Sequence, residues 1–128
     1  MILNLTQHIA TPEQIEAGVF EPSAEDKKTI QKLLTFEEIP TKIEMYIRAA
    51  EMLEIANKYF NKHAEEGHGK IMIGGAPFFM GTLQTRLKLY AGYTPVYAFS
   101  KRESVDQPQP DGSVRKVQVF RHCGFVEV

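Results

Sequence analysis

Apolar residues Ile2, Leu3 and Leu5 crowd the middle of Met1–Gln7, which therefore reads as a strand. At Thr11 the pattern changes. Thr11-Pro12-Glu13-Gln14 supplies a capping hydroxyl, a proline at the first helical position and a Gln that closes a capping box. Gly18, following Ile15–Ala17, predicts that this helix is short. Ser23 begins a second helix, Ala24 to about Leu34, with Ile30, Leu33 and Leu34 on one stripe. After Pro40, Thr41-Lys42-Ile43-Glu44 reads as another capping box. Helical spacing from Ile43 through Ile47, Leu53 and Tyr59 to Phe60 predicts a helix reaching about Glu66, ended by Gly67 and Gly69. Such a helix would be roughly 38 Å long at about 1.5 Å per residue.

Lys70-Ile71-Met72-Ile73, stopped by Gly74-Gly75, has the continuous apolar character of a buried parallel strand. Pro77 opens a helix over Phe78–Tyr90, and Gly92 ends it. Thr94 to about Val105 and Ser113 to about His122 read as strands. Gln107-Pro108-Gln109-Pro110-Asp111-Gly112 between them has turn chemistry, so the two form an antiparallel hairpin. The order predicts an α/β, Rossmann-like domain: a mostly parallel sheet of about four strands, a C-terminal antiparallel hairpin, and helices on both faces.

Composition narrows this further. The 128 residues contain no repeat, low-complexity tract or linker, so residues 1–128 form a single predicted domain. Fifteen Lys and Arg balance sixteen Asp and Glu to a net charge of -1, which argues against non-specific duplex nucleic-acid binding. One Cys excludes an internal disulfide. No apolar run is long enough to span a membrane, and no export leader is present, so a cytoplasmic location is expected.

In open α/β sheets, ligands collect beyond the carboxyl ends of the parallel strands. Three stretches fall there: Thr6-Gln7-His8, Gly74-Gly75-Ala76-Pro77 and Ser100-Lys101-Arg102-Glu103-Ser104. His8, between a strand end and a helix cap, is the leading catalytic candidate; its plainer reading is an imidazole that orders the loop. Gly74 and Gly75 before a proline-started helix suit an anion cradle, although glycines also end a crowded strand. The run is neither G-x-G-x-x-G nor a P-loop. Arg102 would hold a phosphate with help from Ser100 or Ser104, with Lys101 on the opposite strand face; the rival is a charged, solvated edge. Thr6, Gln7, Pro77 and Met80 complete the predicted ligand-binding set, while Phe78 and Phe79 read as core.

Hairpin pairing around Asp111 predicts that Arg121 and His122 lie near the opposite end of the sheet from His8. His63 and His68 read as solvent-exposed, and Cys123 as a small buried residue. No H-E-x-x-H, H-x-H or paired Cys suggests a metal, no cofactor is expected, and the G-x-S-x-G elbow of serine hydrolases is missing.

Thr6-Gln7-His8-Ile9-Ala10 with Gln14, and Gly74-Gly75-Ala76-Pro77 with Leu83, resemble motifs of the small Rossmann-like CRISPR-associated proteins grouped with ring nucleases. The whole chain, including Tyr97–Ser100 and His122–Phe125, also looks like an uncharacterised family of small phage and bacterial proteins. The first resemblance implies a homodimer that cleaves a cyclic oligoadenylate without metal, a ribose 2′-hydroxyl attacking the adjacent phosphodiester. His8 would orient or deprotonate that hydroxyl, Gly75 would hold phosphate, and Arg102 would neutralise it. The long helix and the C-terminal hairpin depart from that pattern. The expected function is thus a nucleotide- or phosphate-binding protein with this cleavage as its implied reaction. The alternatives are a phage or host interaction module using the hairpin, and a sugar- or nucleoside-processing enzyme.

Overall fold

The computed structural model describes residues 1–60 and 69–128. Its elements are β1 (Ile2–Asn4), α1 (Pro12–Glu16), β2 (Val19–Phe20), α2 (Ala24–Leu33), α3 (Lys42–Asn57), β3 (Lys70–Met72), α4 (Pro77–Ala91), β4 (Thr94–Pro108) and β5 (Val114–Glu127). The sheet has five strands in the order β2-β1-β3-β4-β5. The first three pairings are parallel, and β4–β5 is antiparallel. The α/β class, the largely parallel sheet and the closing hairpin therefore stand as read from the sequence.

The fifth strand is the two-residue β2, which runs beside β1 directly after Gly18. Gly18 adopts φ 106°, so it turns the chain straight into that short strand. The predicted helix to Glu66 is also corrected. α3 stops at Asn57, and the reading over residues 61–66, with His63, Gly67 and His68, lies outside the described residues. Helical spacing persists through Tyr59 and Phe60 because both still face the core: Phe20 packs on both rings, and Phe60 on Tyr93.

Capping follows the sequence closely. Thr11 and Gln14 form the full reciprocal box. Thr41 accepts from the Glu44 N–H, while the Glu44 carboxylate pairs with Arg48 one turn on. Arg48 also donates to the carbonyls of Lys32, Leu33 and Thr35, covering the end of α2, and lies over the Phe36 ring. At the other end of α2, Tyr59 and Lys58 bind Asp26. The Tyr59 hydrogen bond, with help from Lys58, outweighs burial and holds this carboxyl below its usual range.

Helices α2, α3 and α4 share one large cluster with Leu3, Leu5, Ile71 and Ile73. Alternate strand residues (Ile2, Val19, Met72, Val96) form a second, smaller cluster, joined by Ala10 and flanked by Phe125. The five-residue α1 buries no residue of its own, so that second face is only thinly covered. The parallel strands place β1, β3 and β4 carboxyl ends along one rim. The ribbon β4–β5 then runs past it, with a register shift between Phe99 and Ser100.

Candidate ligand-binding cleft

At that rim a cleft of about 450 Å³ is lined by the loop after β1, the turn after β3 and the point where β4 leaves the sheet. Thr6, Gln7 and His8 line it together with Gly74, Gly75, Tyr97 and Ala98; Thr11 and Gln14 bring the start of α1 to its edge. A side chain placed on Gly74 would meet the Thr6 Cγ2 at 3.7 Å, so the two loops touch.

The loop is tied from below by groups that do not face the cleft. Asn4 is wholly buried. Its Nδ2 donates to the His8 carbonyl at 2.8 Å and to the Glu21 carboxylate, and its Oδ1 accepts from the Thr6 N–H and hydroxyl. Lys27 reaches in from α2 to the Thr6 carbonyl at 3.0 Å, the His8 carbonyl at 2.7 Å and Glu21 at 3.1 Å. Gln31, one turn further along α2, donates to the Gln7 carbonyl. Burial alone would raise the Glu21 pKa, but hydrogen bonds from Asn4, the Ala10 N–H and Lys27, with the Lys27 charge, hold it below its usual value. The carbonyls of Thr6, Gln7 and His8 are thus all occupied. The imidazole of the exposed His8 makes no hydrogen bond among the described residues.

The opposite wall begins at Gly75, whose φ of 155° suits glycine, with the Met80 Cε and Leu34 Cδ2 beneath it. Ala76 caps α4 without a side-chain hydrogen bond. The N–H groups of Gly74, Gly75 and Ala76 find no acceptor among the described residues. The Tyr97 hydroxyl is held by Gln84 at 2.6 Å, and burial pushes its pKa up.

Other expected site residues lie elsewhere. Met80 is buried and supports Gly75 from inside the core. Pro77 lines a separate groove between α3 and α4. Ser100, Lys101 and Arg102 do not line the cleft. They stand on the ribbon beyond Ala98, and Arg102 lies over the Phe120 ring at 5.4 Å.

His122 is corrected in position. Its strand pairs it with Ser100, and its N–H donates to Glu13 of α1, so it lies toward the cleft end of the sheet rather than the far end. The ring packs edge-on against Phe125 with Nδ1 buried and unpartnered among the described residues. Cys123 is exposed, not buried: Phe99 pairs with Gly124 and Ser100 with His122, which leaves Cys123 as the extra, unpaired residue at the register shift. No group of three or more His, Cys, Asp and Glu suited to a metal occurs among the described residues. No helix among them is long and apolar enough to cross a membrane.

The family model described as "Uncharacterized protein MJ1673 family" matches residues 1–126. The chain belongs to the MJ1673 family. The β1 loop, the glycine turn and the hairpin all fall within the matched span. No curated protein and no solved structure matches the chain.

Sequence reasoning missed Asn4, Glu21 and Lys27. A signal existed for Asn4, a polar residue inside the apolar run Ile2–Leu5. Lys27 reads in sequence as an ordinary solvated helix residue.

Proposed function

We propose that the rim cleft binds a small phosphate-bearing ligand, a nucleotide, within a doubly wound, Rossmann-like domain of a cytoplasmic protein. One observation carries this reading: the His8 loop and the Gly74-Gly75 turn meet where the winding reverses. From β1 the chain passes outward to β2, then crosses back to β3, which is where ligands bind in open α/β sheets. The N–H groups of Gly74, Gly75 and Ala76, without an acceptor among the described residues, lead into the fifteen-residue α4 and offer donors beside its partial positive end to phosphate. With the loop carbonyls occupied, the cleft presents hydroxyls, amide N–H groups and one imidazole.

Among the described residues no Lys, Arg, Asp or Glu lines the cleft. Chemistry there would rest on positioning and on His8 as the proton carrier, with neutral donors stabilising developing charge. That is compatible with the metal-independent 2′-hydroxyl attack implied by the ring-nuclease resemblance. In that reading His8 accepts the 2′ proton, the new bond closes a 2′,3′-cyclic phosphate, and the 5′ oxygen leaves. Arg102 would serve only by reaching the ligand from the ribbon.

Thermal denaturation with a panel of nucleotides and cyclic oligoadenylates tests the reading. A true ligand at a hundred times Kd stabilises the native state by about 2.7 kcal/mol. Gly75→Val should remove the shift, and His8→Ala should remove turnover while leaving binding. A panel that never moves the melting point overturns the proposal.

A second reading is favoured by the ribbon, whose Val114, Phe99 and Phe120 side chains are exposed beyond the core. If partner binding is lost on trimming Lys101–Arg121 while nucleotides have no effect, the hairpin is an interaction element instead.

A further inference from the structure

We infer that the outer face of α4, with the edge of α3 beside it, is the interface of a two-fold dimer of this chain. The inference is independent of what the cleft binds. Ile43, Tyr46, Ile47, Phe78, Leu89 and Tyr90 line these two helices and are each 53–77% exposed. Together they leave on the order of 600 Å² of apolar side chain in water. That approaches the ~800 Å² each partner contributes to a standard interface, and it sits at the upper end of what a monomer exposes.

The surface is shaped to meet a copy of itself. Between α3 and α4 lies a groove of about 600 Å³ whose α4 wall includes Phe78, Gly81, Thr82, Thr85 and Arg86. The outward stripe of α4 is large at its ends and small at its centre: Phe78, then Gly81 and Thr82, then Thr85, then Leu89. It is also symmetric about the midpoint between Leu83 and Gln84. Two copies of α4 packed antiparallel across a two-fold axis set Thr82 against the other copy's Thr85, Gly81 against Arg86, and Phe78 against Leu89. Every contact then occurs twice, as an isologous interface requires. Gly81 has open space where a side chain would stand, opposite the guanidinium of Arg86, whose buried Nε has no hydrogen-bond partner among the described residues.

Charge points the same way. Beside Phe78, the loop before α3 carries exposed Glu37 and Glu38; the other end of α4 carries Arg86 and exposed Lys88. None of the four forms an ion pair among the described residues. The antiparallel arrangement brings each acidic end to the partner's basic end. A parallel arrangement would stack like charges.

Sedimentation velocity at about 100 µM chain, above the weakest Kd usual for interfaces of this size, tests the dimer. The expected mass is twice the 14.5 kDa of the chain. Thr85→Glu, which sets a charge beside the axis, should give a monomer with an unchanged circular-dichroism spectrum. Lys88→Glu should weaken the dimer about tenfold, and adding Glu37→Lys and Glu38→Lys should restore it. If Thr85→Glu fails to fold, Lys88→Glu and its rescue decide alone. A monomer at this concentration would assign the face to a different partner and overturn the inference. So would a dimer that ignores Lys88→Glu, since its contact must then lie on another surface, such as the ribbon.

Discussion

Gly74 and Gly75 are neighbours with opposite tolerances. At Gly74 an added methyl meets only Thr6 at an ordinary contact distance. At Gly75 it meets Met80 at 3.3 Å, on backbone that side chains rarely adopt. Gly75→Ala should therefore cost about 1–3 kcal/mol in urea denaturation, and Gly74→Ala less than about 1 kcal/mol. Equal costs would mean that strain at residue 75 does not matter. Lys27→Met should likewise lose about 1–3 kcal/mol, because it strips partners from two loop carbonyls and leaves Glu21 without its cation. The same variant should also speed amide exchange in the His8 loop. Little of this strap was legible in the sequence. Asn4 announces itself as a misfit in a strand, but its partners lie four and seventeen residues away. No spacing rule links Lys27 to a loop nineteen residues earlier.

At the scale of elements, the sequence was most readable where one residue settles a local geometry. The Thr11 box, the proline opening α4 and the left-handed Gly92 closing it are all as expected. Where tertiary packing decides, the sequence misled. β2 is too short to show a period, and Phe60 keeps helical spacing after α3 has ended because the core still claims its ring. The ribbon's reach was underestimated because both its faces meet solvent, so its alternation marks no core boundary. That exposure has a measurable result. β4 amides from Lys101 to Gln107 should exchange hydrogen faster than those of Thr94 and Val96, which lie against β3, and the melting temperature should stay within about 2 °C when residues 104–118 are replaced by a tight turn. A large drop would show that the ribbon tip supports the core.

For the whole molecule, acid is the informative stress. Glu21 and Asp26 both hold their protons less tightly when folded than in the open chain. Their contribution is therefore fully present above the ordinary carboxylate range and drains away as pH falls below about 4. Stability measured from pH 6 to pH 2.5 should decline over that window, and Glu21→Gln should flatten part of the decline while lowering the plateau at pH 6. An unchanged slope would place Glu21 outside the acid transition. Residue strap, rim and sheet winding converge here, since Glu21 joins β2 to the loop that carries His8.

The fourteen residues of β5 have a hydrogen-bonded neighbour on one side only, whereas the opposite border of the sheet ends in a strand of two. The outer edge of β5 is therefore a long seam on which a foreign strand could template. Arg115, Lys116 and Arg121 stud that seam with like charge, and the irregularity at Phe99 and Ser100 skews it. Colloidal behaviour should accordingly answer to those three cations more than to anything in the interior: mask them with polyanions or high salt, and fibre-like stacking becomes the first failure of a concentrated sample.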